Sequence, residues 1–245
     1  MERPRVRVRV NTKATAEAGV AYDKVFLKVP PDSRVRVRFL PPMTDTGALV
    51  TRIVQHFNFK NEDGKATAIA CLKAHGDGKN ECPVCVAIEP LKDGTKAEQK
   101  LWSDLKAGAQ FYAPVFLRGA EAKGIRLLKL SITPVNDLKE QLNEHENADE
   151  PSLPFTGDEN GNGGYDVTII STGSGMGTRY KVKFHEGERS DLSSIREDWE
   201  TLWNRFDIDK ELNLVVRTPD EIIEMLRSNY GEELDLTGLE DGVEA

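Results

Sequence analysis

The chain has 245 residues, enough for one ordinary domain with arms or for two small ones. No run reaches the roughly 18–20 apolar residues a membrane-spanning helix needs, and the opening Met-Glu-Arg-Pro-Arg-Val lacks the apolar core of a secretory signal. The net charge of −8 argues on its own against a nucleic-acid binder, but its distribution reverses that. Residues 1–130 carry 23 Lys/Arg against 14 Asp/Glu, a net of +9, and residues 131–245 carry 10 against 27, a net of −17. Such a split marks a polyanion-binding body with an acidic appendage, or two unrelated solvated faces.

In chain order, residues 3–10 and 34–39 alternate arginine with apolar residues. That is the period of a strand with valines on one face and arginines on the other. A row of arginines on one sheet face repels itself unless an anion or a set of carboxylates lies against it. Residues 11–22, rich in Ala, Thr and Lys, read as a mobile connection. Residues 49–59 and 65–71 read as strands joined by the Asp-Gly hairpin turn at 61–64. Residues 95–106 read as a helix carrying Leu101 and Leu105, 110–117 and 125–132 as strands, and 135–145 as a helix. Residues 149–164 are a Pro/Gly/Asp/Asn loop, and 165–171 with 178–184 form a second hairpin. Residues 192–206 read as one helix with Ile195, Trp199 and Leu202 on a stripe. Trp199, Trp203 and Phe206 have core spacing. Residues 219–230 form a helix with an acidic first turn, and the acidic residues 231–245 read as disordered. The expected class is α+β, mainly β, a small barrel with insertions.

Three cysteines and two histidines carry the clearest chemistry: His56, Cys71, His75, Cys82 and Cys85. Cys82-Pro-Val-Cys85 is a knuckle that can grip one metal from a tight turn. Cys71 adds a third thiolate, and His56 or His75 a nitrogen. Tetrahedral zinc held by three cysteines and one histidine is a closed, structural site. A metal-free redox pair would need no third cysteine, and a zinc deaminase pairs His-x-Glu with Pro-Cys-x-x-Cys, whereas the proline here is Pro83, inside the knuckle. Cysteines spent on metal point to a reducing, cytoplasmic setting.

Several of these segments resemble the zinc-containing single-stranded DNA-binding (helix-destabilising) proteins of T-even-type bacteriophages. The resemblance rests on Arg38-Phe-Leu-Pro41 leading to His56, on Cys71…His75-Gly-Asp77…Cys82-Pro-Val-Cys85, and on Trp102 with Phe111-Tyr112. It extends to Tyr165-Asp-Val-Thr168 and Tyr180-Lys-Val-Lys183, over about residues 30–190. It implies a five-stranded oligonucleotide-binding (OB) barrel over 23–218 with a zinc subdomain at about 50–92. It also implies a basic arm at 1–22 for self-association along DNA and an acidic helix and tail at 219–245. One structural zinc is implied on His56, Cys71, Cys82 and Cys85, with His75 outside the set. The function implied is cooperative, sequence-neutral coating of single-stranded DNA in phage replication, recombination and repair, in the cytoplasm of the infected host. The acidic end would contact replication and recombination proteins. Two aromatics that the family carries before its first zinc cysteine are replaced here by Ala66 and Thr67, and the C-terminal tail is short, so part of the stacking surface is absent or supplied elsewhere.

Sequence-neutral binding needs cations for phosphates and π-faces for bases. Trp102 and Tyr112 are expected exposed as stacking platforms, with Phe111 a third, and Phe57 and Phe59 to share one packed face. Arg36, Arg38, Arg52, Lys106, Arg118, Lys123, Arg126 and Lys129 are the candidate phosphate contacts. Gly173-Ser-Gly-Met-Gly177 runs into Thr178-Arg179, so it is not a phosphate-cradling loop ending in Lys-Ser/Thr, and no nucleophile with its base stands out. The reading is a non-enzymatic binder. Its rivals are a zinc-stabilised protein adaptor and a zinc-dependent nuclease.

Overall fold

A computed structural model describes residues 25–27, 29–41, 49–75, 81–146, 156–158, 160–173, 178–212, 215–237 and 239. The arm at 1–22 and the strand expected at 3–10 lie outside them. The chain divides into two compact units. Unit 1 holds the described residues of 53–109 and 213–245, and unit 2 those of 16–52 and 110–212.

Unit 1 is built on a hairpin of β3 (Thr51–Lys60) and β4 (Ala66–Ala70), followed by α1 (Leu72–His75), α2 (Pro83–Ile88), a 3-10 turn (Glu89–Asp93) and α3 (Lys96–Leu105). The C-terminal helix, here α8 (Pro219–Tyr230), closes it. That helix was expected as part of a separate appendage. Its Ile222 and Leu226, with Leu234 beyond it, instead join Phe59, Ile69, Leu72, Val84 and Leu105 in one core. A capping box fixes its start, with Pro219 in the first turn and Thr218 and Glu221 exchanging hydrogen bonds. At its other end Asn229 accepts from the Lys60 N–H at 2.7 Å and donates to the Lys60 carbonyl at 3.1 Å.

Unit 2 is a sheet in the order β1-β6-β5-β2-β7-β8. Its strands are β1 (Phe26–Leu27), β2 (Arg34–Phe39), β5 (Gly108–Leu117, which begins in unit 1), β6 (Arg126–Leu130), β7 (Gly164–Thr172) and β8 (Arg179–Ser190). All pairs are antiparallel except β1 with β6. The class is mixed α and β, as expected, and the strands form an open sheet: among the described residues no pairing joins β1 to β8. The helices are α4 (Ile132–Glu146), α5 (Leu192–Ile195), α6 (Trp199–Arg205) and α7 (Ile208–Leu212). The single helix expected over 192–206 breaks at Arg196, whose backbone is extended (φ −156°, ψ 116°). Its guanidinium grips Asp198 at 2.6 Å and the Glu121 carbonyl at 2.7 Å. Trp199 and Trp203 pack with Leu40, Phe116 and Leu192.

Candidate metal centre

His56 comes from the middle of β3, Cys71 from the residue after β4, and Cys82 and Cys85 from the start of α2. Cys82 is extended (φ −76°, ψ 118°) and Pro83 takes the first helical position, where its missing N–H costs no intrahelical bond. Cys85 then falls one helical turn on, at a spacing that shares a face with Cys82. Cys71 is placed by its N–H, which bonds the Val54 carbonyl at 3.0 Å.

A bulge in β3 re-aims the facing of its later residues. His56 pairs with Ile69 and Phe59 with Thr67, so Phe57 and Asn58 on β3 together oppose the single Ala68 on β4. Asn58 absorbs the extra residue at φ +69°, a left-handed conformation that asparagine tolerates better than most residues. The bulge lets both His56 and Phe59 turn inward, each fully buried. Phe57 is left half-buried on the other side, which corrects the expectation that Phe57 and Phe59 share a face.

The four donor atoms lie within 4.8 Å of one another. Cys71 Sγ and Cys85 Sγ are 3.7 Å apart, and His56 Nε2 is 3.4 Å from Cys82 Sγ and 3.6 Å from Cys85 Sγ. A tetrahedron with bonds of about 2.3 Å to sulfur and about 2.0–2.1 Å to nitrogen separates its sulfurs by about 3.8 Å and sulfur from nitrogen by about 3.6 Å. The donor set therefore fits a tetrahedral metal ion such as zinc. His56 Nδ1 donates to the Leu105 carbonyl at 2.8 Å, which leaves Nε2 to face the sulfurs and supplies the outer hydrogen bond that orients a ligating imidazole. His75 lies elsewhere: its Nε2 accepts the Val54 N–H at 2.8 Å.

The clustered groups shift one another's titration in opposite directions. Hydrogen bonds from Cys71 and Cys85 hold the Cys82 thiol far below its usual range, against burial. Cys85 is pushed up by its bonds to Cys71 and Cys82 and by burial. Burial opposes the charged form of His56, but the sulfurs of Cys71 and Cys82 raise its pKa to about 9. A cation at the centre replaces the protons that these groups otherwise share.

The other expected site residues scatter. Trp102 is half-buried on α3, with the Lys106 ammonium 4.7 Å from its ring centroid. Tyr112, expected exposed, is buried, as is Phe111. Six consecutive residues of β5 are buried, because both faces of this interior strand are covered. Arg38 is also fully buried. Its Nη2 donates to the carbonyls of Thr156 and Gly161, while Nε and Nη1 find no partner among the described residues. Desolvation lowers its pKa to about 10. Arg36 and Arg118 both bond Asp166 Oδ2 at 2.8 Å; Arg36 also meets Glu188 and Arg118 meets Glu121. Carboxylates, not an open anion site, thus answer much of the repulsion expected along the arginine row. Arg52, Lys106, Lys123 and Lys129 are exposed and Arg126 is half-buried. Short-range reading missed Asp166, because nothing in its own neighbourhood announces a buried carboxylate that meets an arginine 130 residues away.

No protein-family model matches the chain, and no curated protein matches it.

Proposed function

We propose that the protein is a sequence-neutral single-stranded DNA-binding protein, stabilised by one structural zinc ion and without catalytic activity of its own. The observation that carries this reading is the His56/Cys71/Cys82/Cys85 cluster, set in the sequence motif that resembles the phage helix-destabilising proteins. Four protein donors leave no open coordination position for substrate or a metal-bound water, which favours a structural role over hydrolysis. Zinc, when bound, supplies a fixed cross-link between β3, the end of β4 and α2. His56 extends that link to the end of α3 through Leu105, one turn from Trp102 and beside Lys106. These two side chains pair a π-face with a cation, the combination that base stacking and phosphate contact need. The oligonucleotide-binding topology, self-association along DNA and recruitment of replication and recombination proteins by the acidic C-terminal residues belong to the same reading.

The test is tryptophan fluorescence on titration with oligo-dT, run in parallel with single-stranded RNA and duplex. Saturable quenching that weakens steeply with salt is expected with the single strand. No quenching and no competition by any nucleic acid would overturn the reading in favour of the adaptor. Metal-dependent cleavage of the oligonucleotide would favour the nuclease.

A further inference from the structure

β2, β7 and β8 give the two faces of unit 2's sheet opposite chemistry. Val35, Ile169 and Val182 stand in one cross-strand row and Val37, Val167 and Phe184 in another; these line the packed face. Directly opposed residues share a face and their neighbours point the other way. The reverse face therefore carries Arg34, Ile170 and Lys181 in one row and Arg36, Thr168 and Lys183 in the next. Arg36 is held by Asp166 and Glu188. Arg34, Lys181 and Lys183 are exposed and form no ion pair among the described residues. A recess of about 570 Å³ runs along the outer strand, lined by Lys181, Val182, Lys183, Phe184 and His185 with Gln141.

Lys181 and Lys183 stand two apart on one face of β8, with Arg34 across Ile170 from Lys181, so this face concentrates positive potential that an anion would meet favourably. The internal carboxylates compensate Arg36 and, among the described residues, leave the three outer cations without an ion-pair partner. We propose that Arg34, Lys181 and Lys183 form a phosphate-contacting ladder for single-stranded nucleic acid, with Arg36 held on the same face by Asp166 and Glu188. The nucleic-acid part of this inference rests on the function proposed above. Cations two apart on a strand lie about 6.7 Å apart, and those on β2 and β8 are separated by two strand spacings, about 9.6 Å. The ladder therefore offers several phosphates a contact without reading a base. An acidic protein surface is the weaker occupant: protein interfaces centre on apolar or aromatic anchors and deplete lysine, and here Ile170 is the sole apolar side chain in the two rows. None of the three is a metal ligand or touches one, and two of them fall outside any contact that strand alternation in β2 suggested.

The test compares the full chain with its Arg34→Ala/Lys181→Ala/Lys183→Ala variant by fluorescence anisotropy of labelled oligo-dT. Measurements run from about 50 to about 300 mM salt, since each lost phosphate contact on a single strand flattens the slope of log K against log salt by about 0.7. The expected result is a slope shallower by about 2 and at least tenfold weaker binding at the lowest salt, with melting temperature and metal content unchanged because all three side chains are at the surface. If the parent binds and the variant binds equally with the same slope, the ladder is wrong and the single-strand reading stands. If the parent binds no nucleic acid at any salt, both fail. If the variant keeps its DNA affinity but loses binding of poly-glutamate that the parent shows, the face serves an acidic protein and the proposal is overturned.

Discussion

His56 illustrates how one side chain joins two elements through its two nitrogens. Nδ1 is committed to the Leu105 carbonyl and Nε2 to the sulfurs. His56→Ala should therefore lose bound metal and melt at a lower temperature, because metal affinity in such a site is folding free energy. His75→Ala should keep its metal; the side chain serves a backbone N–H, and its loss is a local defect in the loop. Metal content of natively purified variants decides between them, and the reverse pattern would reassign the ligand. Protons compete with metal for the imidazole and the thiolates, so acidification should release the ion, read with a colorimetric zinc indicator, and chelation at neutral pH should reproduce the thermal destabilisation. The ligand types and the knuckle were legible in the sequence. The choice of His56 over His75 came only with the family resemblance, because spacing alone leaves two histidines within reach. The burial of Tyr112 and Arg38 and the pairing of Arg36 and Arg118 with carboxylates were not legible. Alternation says which neighbours share a face, but not that both faces of β5 are covered or that β7 sets Asp166 beside Arg36.

At the scale of elements, legibility tracks local chemistry. The helices with capping boxes, α3 and α8, match the expected 95–106 and 219–230 closely, and the hairpin turn falls where Asn61 and Gly64 place it. The bulge at Asn58 and the break at Arg196 were missed because each depends on partners outside the local window. α3 permits a direct test of its cap. The Thr95 N–H donates to Glu98 Oε2 at 2.6 Å and the Glu98 N–H to Thr95 Oγ1 at 3.4 Å. Thr95→Ala should destabilise the protein by about 1 kcal/mol, read as a lower melting temperature. Bonds from Thr95 hold the pKa of Glu98 below its usual 4.5. A carboxylate depressed in the folded state stabilises fully above its unfolded pKa and loses that contribution as pH falls through the folded value. The difference between parent and Thr95→Ala should therefore be largest above about pH 4.5 and shrink below it. A difference that is constant from neutral pH down through that window would show that the Thr95 side chain does not hold the Glu98 carboxylate, whose bond from the residue-95 backbone N–H both proteins keep.

At the scale of the molecule, the C-terminal residues combine a packing role with an electrostatic one, and the two can be separated by where the chain is cut. Residues 220–245 hold nine Asp/Glu against one Arg, which in sequence reads as an appendage. Leu234 is nevertheless buried, and Leu236 and Leu239 pack against the same core as the metal cluster. Deleting residues 231–245 should destabilise unit 1, since full burial of one leucine is worth about 1.5–3 kcal/mol, and should loosen the metal with it. Any change in DNA affinity after that deletion would mix unfolding with charge. Deleting only residues 240–245 removes Glu240, Asp241 and Glu244 and spares these leucines. If a tethered polyanion competes with DNA for the basic surface, this shorter deletion should raise affinity for oligo-dT at low salt while melting temperature and metal content stay unchanged. The gain should fade as salt screens the tether, over a Debye length of about 10 Å at 0.1 M. A gain equal at every salt concentration, or a loss of affinity, would exclude competition.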